Sequence, residues 1–177
     1  MKLIIGLGNP EEKHKNNRHN SGFSVVDELA RIVRDEEWSS VKKFQSLIIK
    51  HKGLFVLVKP QTFMNQSGKA VKKLIDQYKI ESSDLWVIHD DLDIALGDYK
   101  IQKGKGPKLH KGIESIEEKL GITDFWRVRV GIENRSAENK ISGETYVLQD
   151  FTEKEIEVII PTIAKISREI VSLVSNK

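Results

Sequence analysis

Lys2-Leu3-Ile4-Ile5-Gly6-Leu7-Gly8-Asn9-Pro10 is an apolar run that stops abruptly at two glycines, an asparagine and a proline. Such a pattern reads as a buried strand ending in a tight loop. Nine residues after Pro10, His19 stands between Arg18 and Asn20, just ahead of a helical pattern. Strand ends and helix starts are where α/β proteins place their chemistry. The opening therefore offers a candidate base, a candidate amide donor and a backbone turn within a short span.

Working outward, Phe23, Val26, Leu29, Ala30 and Val33 recur at helical spacing, which predicts a helix capped by Asn20 or Ser21 and ending near Asp35. Phe44–Lys50 and Phe55–Lys59 are β-prone runs parted by His51-Lys52-Gly53, the pattern of a hairpin, and Pro60 closes the second run. A second helix carries Ala70, Val71, Leu74, Ile75 and Tyr78, with Asn65 or Ser67 near its start. Leu85–His89 is a continuous apolar run that predicts a central strand ending in Asp90-Asp91-Leu92-Asp93. Tyr99–Gln102 reads as a strand, Lys103–Lys108 as a loop, and Ile113 to Leu120 as a helix stopped by Gly121.

Trp126–Ile132 alternates apolar with basic residues and so sets Arg127 and Arg129 on one face of a strand. Thr152-Glu153-Lys154-Glu155 is a capping box opening a C-terminal helical region, which Pro161 should kink or split and which continues from Ile163 to Val174. Strands and helices alternate, with one inserted hairpin. The fold class expected is α/β: a single domain over residues 1–177, an α/β/α sandwich around a central mixed, mostly parallel sheet.

Composition narrows the chemistry. The 177 residues contain no cysteine, which excludes disulfides, thiolate nucleophiles and thiolate metal sites. No apolar stretch reaches the length of a membrane span, and the N-terminus lacks the flank and cleavage site of a signal peptide, so the cytoplasm is the expected compartment. A net charge of +3 is too small to announce a polyanionic partner, but its distribution is uneven. Lys100, Lys103, Lys105, Lys108 and Lys111 fall within twelve residues that contain no acid, and Arg127, Arg129 and Arg135 follow. The alternatives are a solvated loop and a phosphate-binding surface.

Three readings of the candidate chemistry compete. A dinucleotide loop over Gly6–Glu11 is a poor match, because Glu11 takes the third glycine position and Pro10 removes a donor. His89, Asp90, Asp91 and Asp93 have the donor chemistry of a metal cluster, and equally that of an acidic turn. His19 can act as a general base whose imidazole is oriented by one of these carboxylates, if the fold brings them together.

Taken together, four blocks resemble the bacterial peptidyl-tRNA hydrolases in order and spacing: Gly6-Leu7-Gly8-Asn9-Pro10; Arg18-His19-Asn20-Ser21-Gly22-Phe23; Lys59-Pro60-Gln61-Thr62-Phe63-Met64-Asn65-Gln66-Ser67-Gly68; and His89-Asp90-Asp91-Leu92-Asp93. The strand Arg127–Ile132 is also similar, and the resemblance covers nearly the whole chain. It implies a monomeric α/β/α esterase, needing no metal or other cofactor, that cleaves the bond between a peptide's terminal carbonyl and the ribose of its tRNA. By motif position it implies His19 as the catalytic histidine and Asp90 as its carboxylate partner. Asn9 and Asn65 match amides lining the peptide end of the cleft, and Phe63 and Met64 match apolar contacts beside the scissile bond.

His110 falls on a histidine of the loop bordering that cleft, and Arg129 on a basic position associated with tRNA phosphate. Lys100, Lys103, Lys105 and Lys108 would form a diffuse funnel for the acceptor stem. The chain departs from the family at Glu11, His14, Asn17, Gln102 and Lys111, the last replacing a site asparagine. A divergent, weakly active RNA- or peptide-binding relative, and a metal-dependent hydrolase built on the His89–Asp93 cluster, are the rival readings.

Overall fold

A computed structural model describes residues 1–175. The opening run forms β1 (Lys2–Gly6), with Leu3, Ile4 and Ile5 fully buried, and it lies in the middle of a seven-stranded sheet. The other strands are β2 (Ser39–Val41), β3 (Ser46–His51), β4 (Phe55–Pro60), β5 (Leu85–Ala95), β6 (Tyr99–Lys103) and β7 (Trp126–Glu133). Their order is β2-β3-β4-β1-β5-β7-β6. The four central strands β4, β1, β5 and β7 are mutually parallel, while β2, β3 and β6 add antiparallel edges. The expected mixed sheet is therefore parallel in its centre and antiparallel at both flanks.

Because side chains alternate along a strand, β1 feeds two cores. Leu3 and Ile5 face a cluster that includes Val71, Leu74, Ile113 and Ile116, from α2 (Ser67–Tyr78) and α3 (Lys111–Leu120). Ile4 faces Val26, Leu29, Ile159, Ile166 and Ile170, from α1 (Ser21–Ile32) and α5 (Glu153–Ser175). Two helices on each face complete the expected sandwich, and none is long and apolar enough to cross a membrane.

Gly6 and Gly22 explain the glycines of the first two blocks. A Cβ on Gly6 would overlap the carbonyl of Gly22, and one on Gly22 would overlap backbone atoms of Leu7 and Ile88. The first turn of α1 thus lies directly on β1 and β5, a close approach of backbones rather than a phosphate cradle.

Several expectations need correction. The first helix ends at Ile32, with Arg34 at positive φ, instead of reaching Asp35. Neither Asn20 nor Ser21 caps it: Asn20 spends its amide on Asn9, and the Ser21 hydroxyl donates to the Arg18 carbonyl. Phe44 belongs to a 3-10 turn ahead of β3, since Gln45 turns the chain through a left-handed conformation. β5 does not end at His89 but carries Asp90, Asp91 and Asp93 within the sheet. Pro161 does not split α5, which is one helix from Glu153 to Ser175. The ring is exposed, as is Glu157 four residues earlier, so the carbonyl that loses its partner faces water. The three-residue β2 and the short α4 (Gly143–Val147) carry too little periodicity to be anticipated.

Candidate active site

The site lies where β1, β4 and β5 end, above the start of α1. β5 delivers Asp90, whose carboxylate is 2% exposed. Oδ1 accepts from His19 Nδ1 at 2.8 Å and from His110 Nε2 at 3.0 Å, and Oδ2 lies 2.9 Å from the same His19 nitrogen. An ionised carboxylate only accepts, so both ring nitrogens carry hydrogens. His110 is fixed independently: its Nδ1 accepts from the backbone N–H groups of Gly112 and Ile113, at 3.1 and 3.3 Å, capping α3. Its hydrogen therefore sits on Nε2 and points at Asp90. His19 by the same logic is protonated on Nδ1, leaving the lone pair on Nε2. That is the tautomer a general base requires.

Burial alone would raise the pKa of Asp90, but the two imidazoles and their hydrogen bonds outweigh it and hold the carboxyl far below its ordinary range. The geometry thus favours the charged form of this carboxylate.

His89 plays a different part. It is fully buried beneath His110, with ring centroids 4.8 Å apart, and its Nδ1–H donates to the Asp90 carbonyl at 2.7 Å. Burial, then the neighbouring His110, push its pKa well down, so it is neutral. Alternation along β5 turns Asp91 to the opposite face, where its Oδ2 accepts from Arg129 Nε at 2.7 Å, while Asp93 faces Lys108 at 3.6 Å. The His89–Asp93 cluster consequently does not converge. Among the described residues the one group with metal-ligand spacing is His19, Asp90 and His110, its donor atoms within 4.8 Å of one another. Both ring nitrogens there direct hydrogens at the carboxylate, the arrangement of a hydrogen-bonded triad.

Asn9 is locked to Asn20 by a reciprocal pair: Asn9 N donates to Asn20 Oδ1 at 2.9 Å, and Asn20 Nδ2 donates to the Asn9 carbonyl at 3.0 Å. Asn9 Oδ1 accepts from Met64 N at 2.9 Å. With that oxygen engaged, the Asn9 Nδ2 hydrogens have no partner among the described residues. Asn65 is exposed at the rim, in the 3-10 turn Met64–Gln66. Phe63 is also open, at 54%, whereas Met64 is buried in the core with Leu7 and offers its main chain rather than its thioether.

Lys111 does not turn into the site. Its ammonium pairs with Glu144 on α4, both side chains remaining largely exposed at the rim.

The basic residues separate into two kinds. Lys100 and Lys105 are exposed and, among the described residues, have no carboxylate partner. Lys103 pairs with Asp124 at 2.9 Å and Lys108 with Asp93. Arg129 is 8% exposed and committed to Asp91 and to Gln102 Oε1 at 2.9 Å. Gly106, at φ +62°, lies so close over the Arg129 guanidinium that a Cβ there would overlap it. Arg129 thus shapes the lysine loop from beneath.

One functional element had no local signature. Arg18 is buried, donates to Glu155 Oε2 at 2.6 Å and to the Gln149 carbonyl at 3.1 Å, and stacks on Tyr146 at 4.0 Å. Glu155 also accepts from Thr152 and Tyr146, so the capping box of α5 doubles as the anchor of the segment carrying His19. The capping pattern was legible; its partner lies 137 residues away.

Comparisons with known proteins point to one family. A family model described as peptidyl-tRNA hydrolase matches residues 3–177. The peptidyl-tRNA hydrolase of Maridesulfovibrio salexigens is 40% identical over 163 residues, covering 88% of this chain and 78% of that protein. That of Syntrophomonas wolfei is 41% identical, covering 93% and 88%. A crystal structure of the peptidyl-tRNA hydrolase from Acinetobacter baumannii aligns with a TM-score of 0.80 at 28% identity, covering 99% of this chain and 93% of that one.

Proposed function

This chain belongs to the peptidyl-tRNA hydrolase family, and from that premise we propose that His19 and Asp90 drive hydrolysis of the ester joining a peptide to its tRNA. The observation that carries the assignment is the 2.8 Å contact of His19 Nδ1 with the buried Asp90 carboxylate. His19 Nε2 removes a proton from water as the oxygen attacks the ester carbonyl carbon, and Asp90 stabilises the imidazolium that forms. On collapse of the tetrahedral intermediate the C–O bond to the ribose breaks and the imidazolium returns the proton to the leaving hydroxyl.

Asn9 Nδ2 and the Asn65 amide hold peptide carbonyls, which are common to every sequence, while exposed Phe63 flanks the scissile bond. His110 fixes Asp90 from the far side. Lys111, tied to Glu144, borders the cleft as a charged rim. Lys100 and Lys105 supply the free cations for tRNA phosphate, with Lys103 and Lys108 beside them and Arg129 supporting the loop. The enzyme on this reading works as a cytoplasmic monomer on a single domain.

The test is hydrolysis of a model peptidyl-tRNA with chelator present. A positioned base contributes roughly 10²–10⁴ in rate, so His19→Ala should lose at least about a hundredfold in kcat. A variant near the wild-type rate would remove His19 from the mechanism, and activity abolished by chelator would favour the metal reading.

A further inference from the structure

Beyond the scissile bond, a second binding region is built into the outward face of α1. An open groove of about 940 Å³ runs along that helix, with Asn9 and Asn20 at its head and Phe23 and the α5 residues Ile156, Ile160 and Ile163 on its walls. Ile156 and Ile160 are 40% and 61% exposed. The groove is continuous with the proposed site: Asn20 follows His19 in the chain and bonds Asn9, and the Phe23 ring packs against Gly8, 2.7 Å from where a Cβ would stand.

Its charge separates it from the lysine loop. Five carboxylates line it against three cations, Lys15, Arg31 and Lys59. Arg31 is bound to Glu28 and Lys59 to Asp27 at 2.6 Å each, and Lys15 lies 3.4 Å from Glu12. Lys13 pairs with Glu11 from outside the lining, so among the described residues only Glu36 lacks a cation, and the aliphatic wall rather than net charge sets what the groove suits.

We propose that this groove holds the upstream residues of the substrate's peptide, those beyond the ones read by Asn9 and Asn65, and favours apolar side chains there. The assignment rests on the esterase reading of the adjoining site. The twelve residues of α1 run about 18 Å. Extended chain covers about 3.3–3.6 Å per residue, so the groove has room for about five residues. Contacts with an aliphatic wall need no particular sequence, which suits an enzyme facing many different peptides.

The test compares two substrates with the same C-terminal residue: an N-acetyl-aminoacyl-tRNA, too short to enter the groove, and a six-residue peptidyl-tRNA with leucines upstream. Ile156→Asp and Ile160→Asp alter exposed side chains outside the catalytic group. Loss of one partly buried aliphatic contact corresponds to a KM increase of about fivefold to tenfold, expected for the long substrate alone. The unchanged short substrate certifies the fold of each variant. Replacing the upstream leucines by glutamates should raise KM of the wild type in the same direction.

Equal effects on both substrates, or none on either, overturn the proposal. So does a change in sedimentation of the variants with no length dependence, which would make the face a contact between copies of the chain. A wild-type protein that hydrolyses neither substrate strikes the esterase reading itself, and is recognised because it needs no substitution to appear.

Discussion

Asp90 is the residue on which the proposed site turns, because it is both the partner of the proposed base, His19, and a buried charge. Its folded pKa lies far below the unfolded value of ~3.9. The sign of the linkage follows: a depressed carboxylate contributes stability that is present above the unfolded pKa and is lost as pH falls below about 4 toward the folded value. Urea denaturation of the wild type between pH 6 and 3 should therefore show stability declining below about pH 4, with a shallower decline in Asp90→Asn. Equal slopes would mean that Asp90 is not the charge this geometry describes. His110 belongs to the same account. Its partner is 20 residues away and its role as both helix cap and donor exists only once α3 forms, so the sequence marked the residue without its function.

Among the elements, the contact of α1 with the sheet is the one that sets the spacing of the proposed pair, His19 and Asp90. Gly22 lets the helix start lie on Leu7 and Ile88, and this fixes the distance between the α1 entry and β5. Gly22→Ala must push the two apart. Overpacking a tight contact typically costs ~1–3 kcal/mol, and the larger loss should appear in kcat, since His19 is carried away from Asp90. Urea midpoints and kcat measured on the same preparation check this; a stable variant of full activity would show that α1 has other ways to dock.

The elements themselves were largely legible, because β1, the hairpin, α3 and β7 each announce themselves by a period and a terminator. What stayed hidden depends on contacts across the chain. The strand character of Asp90 and Asp91 comes from pairing with β7, and the tolerance of Pro161 comes from the solvent side of α5.

At the scale of the whole molecule the unpaired cations and the charge-paired groove occupy different faces. The lysine loop lies beside β6 and β7, and the groove of ion pairs and exposed isoleucines lies along α1. RNA binding should weaken with salt by ~0.7 log units per log salt for each single-stranded phosphate contact. Replacing Lys100 and Lys105 by Glu should lower that slope, while the already paired Lys103 should matter less; filter binding across a salt series separates them. The lysine run was visible in the sequence, but which of its members are free was decided by Asp93, Asp124 and Glu144, three acids on other segments.

The central place of β1 also sets a timetable. The first strand synthesised pairs with β4, complete at Pro60, and with β5 through Ile88, so it gains its second neighbour 28 residues after its first. At ~5–20 residues per second the apolar strand waits half-paired for roughly 1–6 s. His19 must then wait longer, until Glu155 emerges to hold Arg18.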